Sequence, residues 1–86
     1  MLQYPSIIKR DGETEPFDES KIARVVRATG IADPQAGKIA QNVASKLHAL
    51  GRKRVHSHVL RDIVLDELQS VNHYAAGLYE WYEDTK

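Results

Sequence analysis

The chain has 86 residues, 42% of them hydrophobic, so we predict a single small domain over residues 1–86 with a modest core. Cysteine is absent, which excludes disulfides and thiolate metal sites, and the net charge of zero argues against non-specific nucleic-acid binding as the main task. No apolar run approaches the roughly 20 residues of a membrane span and no signal-peptide pattern is present, so we expect a soluble, cytoplasmic protein.

Charge is distributed unevenly along the chain. Residues 1–54 contain 10 Lys or Arg and 6 Asp or Glu, a net charge of +4, whereas residues 55–86 contain 2 and 6, a net charge of −4. A site for an anionic ligand is therefore expected in the N-terminal part.

The first elements are predicted within residues 7–22, which carry the most specific pattern of the chain. Asp11 and Gly12 can both adopt the positive φ values of a tight hairpin turn, so this stretch predicts two short strands joined by that turn. Asp18 is placed to cap a first helix, and Gly30 is its expected end.

Further elements follow from capping residues and from apolar periodicity. Asp33 as N-cap and Pro34 at the first helical position predict a second helix that runs up to Gly51. Val55 is expected to add a short strand beside the hairpin, and Ser57 is the predicted N-cap of a third helix.

Asn72 interrupts the apolar pattern and separates the third helix from a fourth. The fourth helix is predicted to have an aromatic packing edge formed by Tyr74, Ala75, Leu78, Trp81 and Tyr82. Together these elements predict an α+β fold in which a small N-terminal β-hairpin or three-stranded sheet caps a four-helix bundle.

The hairpin and the first helix would bring three cations and a carboxylate close together. Lys9, Arg10 and Lys21 suit the phosphates of a nucleotide, and Glu15 can accept a hydrogen bond from the exocyclic amine of adenine, which guanine lacks at that position. Because adjacent strand residues point to opposite faces, we do not expect Lys9 and Arg10 to reach the same phosphate.

The same stretch resembles the opening of the ATP-cone domain, the nucleotide-sensing module of many ribonucleotide reductases and of the ribonucleotide reductase transcriptional repressor. The shared positions are Lys9-Arg10-Asp11-Gly12, Glu15, Asp18 and Lys21-Ile22. This resemblance implies the α+β architecture given above and a regulatory domain that binds ATP or dATP, which Mg²⁺ can accompany.

The resemblance also implies roles for individual residues. Glu15 and Asp18 correspond to family positions on the base side, and Ser57 to a position near the nucleotide. Arg61 stands at a position that varies in the family, and contact with the ribose is our own hypothesis for it. A simple helix cap is an equal alternative for Ser57. Gly77 departs from the family pattern, in which the last helix often carries an arginine.

Two classes of function are compatible with these features. The chain has no phosphate-binding Gly-rich loop and no nucleophile with an evident base, so we expect an allosteric sensor and not an enzyme. Its output would be oligomerisation, or action on a linked or separate partner of the ribonucleotide reductase type. The alternative is a protein–protein interaction module that keeps the fold without binding nucleotide and uses its aromatic C-terminal helix.

Two further hypotheses concern basic and histidine residues. Arg52-Lys53-Arg54 could contact DNA, but the run lacks an aromatic platform. His56 and His58 could bind a metal ion, but no recognisable ligand set completes the pair.

Overall fold

The computed structural model describes residues 4–84, except for the side chain of Asp84, and contains a three-stranded sheet and four helices. In chain order the elements are β1 (Ser6–Ile8), β2 (Thr14–Pro16), α1 (Glu19–Ala28), α2 (Gln35–Ala49), β3 (Arg54–His56), α3 (Ser57–Val71) and α4 (His73–Asp84). The predicted α+β fold, with a small sheet capping four helices, is confirmed.

The sheet has the strand order β2-β1-β3, so β1 lies in the centre. Ile7 of β1 pairs with Glu15 of the antiparallel β2 and with Val55 of the parallel β3. Residues that pair directly lie on the same face of a sheet. The pairing therefore places Glu15 on the same face as the buried Ile7.

The hairpin turn forms differently from the prediction. Gly12 has a φ of 89°, but no residue other than glycine has a positive φ in the described part of the chain, so Asp11 does not adopt one. The backbone N–H of Lys9 donates to the carbonyl of Glu13 at 2.7 Å, which leaves a three-residue loop. The carboxylate of Asp11 accepts from the Glu13 N–H at 3.0 Å and thereby shapes the turn.

Helix α1 begins and ends where the sequence predicts. Asp18 Oδ1 accepts hydrogen bonds from the backbone N–H groups of Ser20 at 3.0 Å and Lys21 at 3.4 Å, which is the N-cap arrangement. The helix ends at Ala28, and Gly30 follows with a φ of 99°.

The predicted N-cap role of Asp33 is wrong. Helix α2 begins at Gln35, with Pro34 at the cap position and no side-chain cap hydrogen bond. The carboxylate of Asp33 instead lies 3.3 Å from Nη1 of Arg27, so an ion pair with α1 occupies it. The helix ends at Ala49, close to the predicted end at Gly51.

The boundaries of α3 and α4 depend on two different kinds of cap. Ser57 is the first residue of α3, whereas His56 takes the cap position that the sequence assigned to Ser57. The break at Asn72 is confirmed, since its Oδ1 accepts from the N–H groups of Tyr74 at 2.9 Å and Ala75 at 3.2 Å and caps α4.

The hydrophobic core has two parts. The larger cluster is formed by residues of all four helices. The smaller one joins the sheet to α2 through Ile7, Leu47 and Val55. The side chains that pack against both clusters are Phe17, Leu60 and Ile63.

The predicted aromatic packing edge of α4 is wrong for three of its members. Tyr74 is 74% exposed, Trp81 59% and Tyr82 41%. Two alanines and one tyrosine of α4 pack in the core between the helices instead. The buried residues of α4 are Ala75, Ala76 and Tyr79. No helix within residues 4–84 is long and apolar enough to span a membrane.

Candidate functional site

A cleft of about 540 Å³ lies between the hairpin, α1, the start of α3 and the end of α4. This volume falls within the roughly 300–1,000 Å³ that small-molecule sites occupy. We call it the central cleft; it is lined by Ile7, Arg10, Glu15, Pro16, Phe17, Asp18, Lys21, Ile22, Val25, Ser57, His58, Leu60, Arg61, Tyr79 and Glu83.

Most of the side chains predicted from the sequence to bind a ligand meet at this cleft. Those that line it are Arg10, Glu15, Asp18, Lys21, Ser57 and Arg61. Lys9 is the one predicted site residue that does not line the cleft; it is exposed beside Arg10 at the hairpin turn.

The position of Arg10 follows from where strand β1 ends. Alternation along a strand would place Lys9 on the face of Ile7 and Arg10 on the opposite face. Strand β1 ends at Ile8, however, and Arg10 belongs to the three-residue loop, where alternation does not apply. The two cations therefore occupy different places, as predicted, but it is Arg10 that lines the cleft.

Glu15 and Lys21 form an ion pair at the cleft. Lys21 Nζ lies 3.6 Å from Glu15 Oε1. The side chain of Lys21 is 54% exposed and that of Glu15 is 39% exposed. Exposed pairs of this kind stabilise a protein by only about 0–1 kcal/mol. Both groups can therefore exchange this contact for contacts with a ligand at small cost.

Asp18 caps α1 with one carboxylate oxygen and presents a second oxygen at the cleft. Its Oδ1 accepts from the backbone N–H groups of Ser20 and Lys21 and from the Ser20 hydroxyl, the last at 2.6 Å. The hydrogen bond from the Ser20 hydroxyl, followed by those from backbone N–H groups, lowers the pKa of the Asp18 carboxyl. The group is consequently ionised at neutral pH, and its second oxygen can accept from a ligand.

The start of α3 forms the opposite side of the cleft. Ser57 and His58 are the first two residues of α3, and Arg61 lies one turn later. The first backbone N–H groups of a helix have no intrahelical partner and attract anions, as does the positive end of the helix dipole. This side of the cleft therefore combines a hydroxyl, a guanidinium and a helix N-terminus.

Sequence analysis missed two residues that α4 contributes to the cleft, Tyr79 and Glu83. Tyr79 is only 4% exposed, and burial, together with the charge of Glu83 and a hydrogen bond to it, raises the pKa of the Tyr79 phenol well above its usual range. The phenol is therefore neutral at any physiological pH. In the sequence, the i, i+4 spacing of this tyrosine and this glutamate is the local feature that places their side chains side by side on one face of α4.

The floor between these polar groups is apolar. It is formed by Ile7, Pro16, Phe17, Ile22, Val25 and Leu60. Such side chains can cover the flat faces of a planar ring while polar groups at the edges fix its orientation.

Charges of opposite sign balance around the cleft. The cations Arg10, Lys21 and Arg61 face an equal number of carboxylates, those of Glu15, Asp18 and Glu83. In the part of the chain that the structure describes, no group of three His, Cys, Asp or Glu side chains could hold a metal ion. No third ligand therefore joins His56 and His58 among the described residues. Their rings stack on each other with centroids 5.5 Å apart.

Comparison with known protein families identifies the family of this chain. A family model described as the ATP cone domain matches residues 5–84, which is nearly the whole chain. The matched region contains all the strands and helices and every residue that lines the cleft. ATP cones are regulatory domains with a general role in nucleotide sensing. The chain belongs to the ATP cone domain family.

Proposed function

We propose that this chain binds ATP and dATP in the central cleft and acts as an allosteric sensor of these nucleotides. The observation that carries the proposal is the convergence of cations and carboxylates on one cleft with an apolar floor. A nucleoside triphosphate brings roughly four negative charges at one end and a planar base with an amine at the other, and needs complementary groups at both.

The base is assigned to the carboxylates of β2 and of the residue that caps α1. Glu15 and the second carboxylate oxygen of Asp18 accept from the exocyclic amine of adenine, while the apolar floor covers the ring. Guanine carries an oxygen in place of that amine and would be repelled by both carboxylates. A site built to hydrogen-bond one group discriminates strongly against a ligand that lacks it.

The phosphates are assigned to the hairpin turn, α1 and the start of α3. Arg10 and Lys21 line the cleft, and the long stem of Lys9 lets its ammonium reach a phosphate from the edge. Ser57 offers its hydroxyl and a backbone N–H at the start of α3. Mg²⁺ bound to the triphosphate reduces the negative charge that an electrically balanced cleft must accommodate.

Binding would exchange the ion pair between Lys21 and Glu15 for two ligand contacts. The phosphates and the adenine amine lie at opposite ends of a nucleotide, so Lys21 and Glu15 cannot keep their 3.6 Å separation while each contacts its own end. This exchange costs little free energy, because exposed ion pairs contribute little to stability. A local rearrangement of α1 and β2 side chains thus accompanies occupancy.

Sensing requires that the two nucleotides favour different states of the domain. ATP and dATP differ only in the ribose 2′-hydroxyl, and we assign the ribose to Arg61 at the start of α3. The output is a shift in self-association, or in the state of a ribonucleotide-reductase-type or other regulatory partner. The ligand is bound and released unchanged, so no catalytic residue is assigned.

Isothermal titration calorimetry with ATP, dATP and GTP in the presence of Mg²⁺ tests this proposal, with light scattering of the same samples. Micromolar binding of ATP and dATP with weaker binding of GTP is the expected result, and a change of mass would identify oligomerisation as the output. Equal affinity for GTP would overturn the assignment of the base, and absence of binding by all three would overturn the function.

Exposed aromatic residues favour a second candidate function, a protein–protein interaction module that binds no nucleotide. Tyr74 and Trp81 of α4 are 74% and 59% exposed, although aromatic side chains are more typical of cores and interfaces. This candidate predicts a folded chain that gives no heat with any nucleotide but loses self-association or partner binding on Trp81→Ser.

A further inference from the structure

His58 lies in the central cleft but has no part in the assignment above. It is the second residue of α3, is exposed, and lines the cleft next to Ser57. Imidazole is the side chain whose charge ordinarily changes between pH 5 and 8, so a histidine at an anion site can change the affinity of that site within the physiological range.

The ring of His58 contacts that of a neighbouring histidine. His56 of β3 stacks on it with ring centroids 5.5 Å apart and an angle of 16° between the planes. His56 is exposed and does not line the cleft. The stack therefore presents one of its two imidazoles to a ligand.

Charged groups from the hairpin, α1, α3 and α4 share the cleft with His58, and the titratable group that stacks on it is His56. The charged groups are Arg10 of the hairpin loop, Glu15 of β2, Asp18 and Lys21 near the start of α1, Arg61 of α3 and Glu83 of α4. Asp62 lies one turn after His58 on α3 itself and is exposed. The six groups that line the cleft sum to zero, so one proton on His58 changes the cleft from neutral to cationic.

We propose that His58 is a further phosphate-binding residue, which donates a hydrogen bond to the triphosphate in its protonated form and thereby links nucleotide affinity to pH. This inference rests on the proposed function, because it takes a nucleoside triphosphate as the ligand. Linkage is reciprocal: if a proton on His58 strengthens binding, bound triphosphate favours that proton to the same degree. Affinity is therefore expected to rise as the pH falls from 8 to 6.

Calorimetric titration with ATP at pH 8 and pH 6 tests the inference in the whole chain. The matched variants are His58→Gln and His73→Gln, since His73 is an exposed histidine at the start of α4 outside the cleft. The triphosphate titrates in the same pH range, but its effect is common to all three proteins and cancels on comparison.

We expect the wild type and His73→Gln to gain about fivefold more affinity on acidification than His58→Gln, as for an exposed ion pair at the upper end of the usual range. An equal gain in His58→Gln would overturn the role of His58. Adenine-selective binding at pH 8 in His58→Gln would then show that the nucleotide site itself is intact. Absence of ATP binding by the wild type at both pH values would overturn the proposed function and this inference together.

A second measurement follows binding to the wild-type protein itself. The ring-proton resonances of the four histidines can be followed by NMR during a pH titration, with and without ATP. The titration of His58 should move to higher pH when ATP is bound, and that of His73 should stay in place. A His58 titration curve that ATP leaves unchanged would contradict the proposal.

Discussion

The two walls of the central cleft are held in place by different forces. The hairpin wall, residues 7–25, is fixed by sheet pairing, a turn and a helix cap, and its polar side chains are largely exposed. The helix wall, residues 57–83, is fixed by burial, since Tyr79 packs in the core between the helices. Changes to the exposed cations and carboxylates that face a ligand in the hairpin wall should thus affect ligand binding first, whereas truncation of the buried side chains of the helix wall should affect stability first.

Truncating the buried tyrosine of the helix wall should have the largest effect. Tyr79→Ala removes a 4% exposed aromatic ring from the core and should lower the free energy of unfolding by about 3–5 kcal/mol, as for other large-to-small core changes. Urea unfolding followed by circular dichroism measures this loss. The matched control Tyr74→Ala, at a position 74% exposed, should change it by no more than about 0.5 kcal/mol.

Similar stability of the two tyrosine variants would contradict the packing of α4 described here. It would also remove the distinction between the walls, because the helix wall would then be as tolerant of substitution as the hairpin wall.

The hairpin wall should respond in the opposite way. Lys21→Ala is expected to weaken ATP binding by about tenfold through loss of a charge-assisted contact with phosphate, and to leave the melting temperature nearly unchanged. Lys9→Ala should also weaken binding, because the proposed site has its ammonium contact a phosphate from the edge of the cleft. The control is Lys38→Ala, which removes an exposed cation of α2 that lies outside the cleft.

Calorimetry and thermal unfolding of the same lysine variants separate the two effects. Equal ATP affinity in Lys21→Ala, Lys9→Ala and Lys38→Ala would mean that the cations of the hairpin wall do not bind the triphosphate.

The two walls also differ in how far the sequence predicts them. The hairpin wall depends on local signals: a glycine that permits the turn, an aspartate that caps α1, and cations close by in sequence. At Asp11 the dipeptide alone does not determine the type of turn, because the chain forms a three-residue loop in which only Gly12 has a positive φ. That loop is also what brings Arg10 to the cleft.

The α4 part of the helix wall could not be predicted because it depends on contacts between residues far apart in sequence. Apolar periodicity located α4, but it could not decide which aromatic residue faces the core. The pair Ala75 and Ala76 determines the packed face, and Tyr79 follows from it. Likewise, Asp33 is not the predicted cap of α2 but pairs with Arg27, and this contact depends on how α1 ends.

The smallest effect is expected from the cap of α1. Asp18→Ala should lower the melting temperature by a few degrees at pH 7, because the first N–H groups of α1 lose their acceptor. The folded-state pKa of Asp18 lies below its ordinary value of 3.8, so its contribution to stability is present above that pH and is lost as the pH falls through the folded-state pKa.

Thermal unfolding of Asp18→Ala and the wild type between pH 7 and pH 2 tests this sign. The difference between their melting temperatures should shrink below about pH 4. A difference that is constant over the whole range would show that ionisation of Asp18 does not contribute to the cap.

Recognition of the adenine base by the hairpin wall is tested most directly by the ratio of the affinities for ATP and GTP. Calorimetry should be done on the wild type, on Glu15→Ala and on the matched control Glu13→Ala, whose exposed carboxylate lies in the same hairpin but outside the cleft. We predict that the wild type and Glu13→Ala prefer ATP and that Glu15→Ala loses most of this preference. An unchanged preference for ATP in Glu15→Ala would contradict the account.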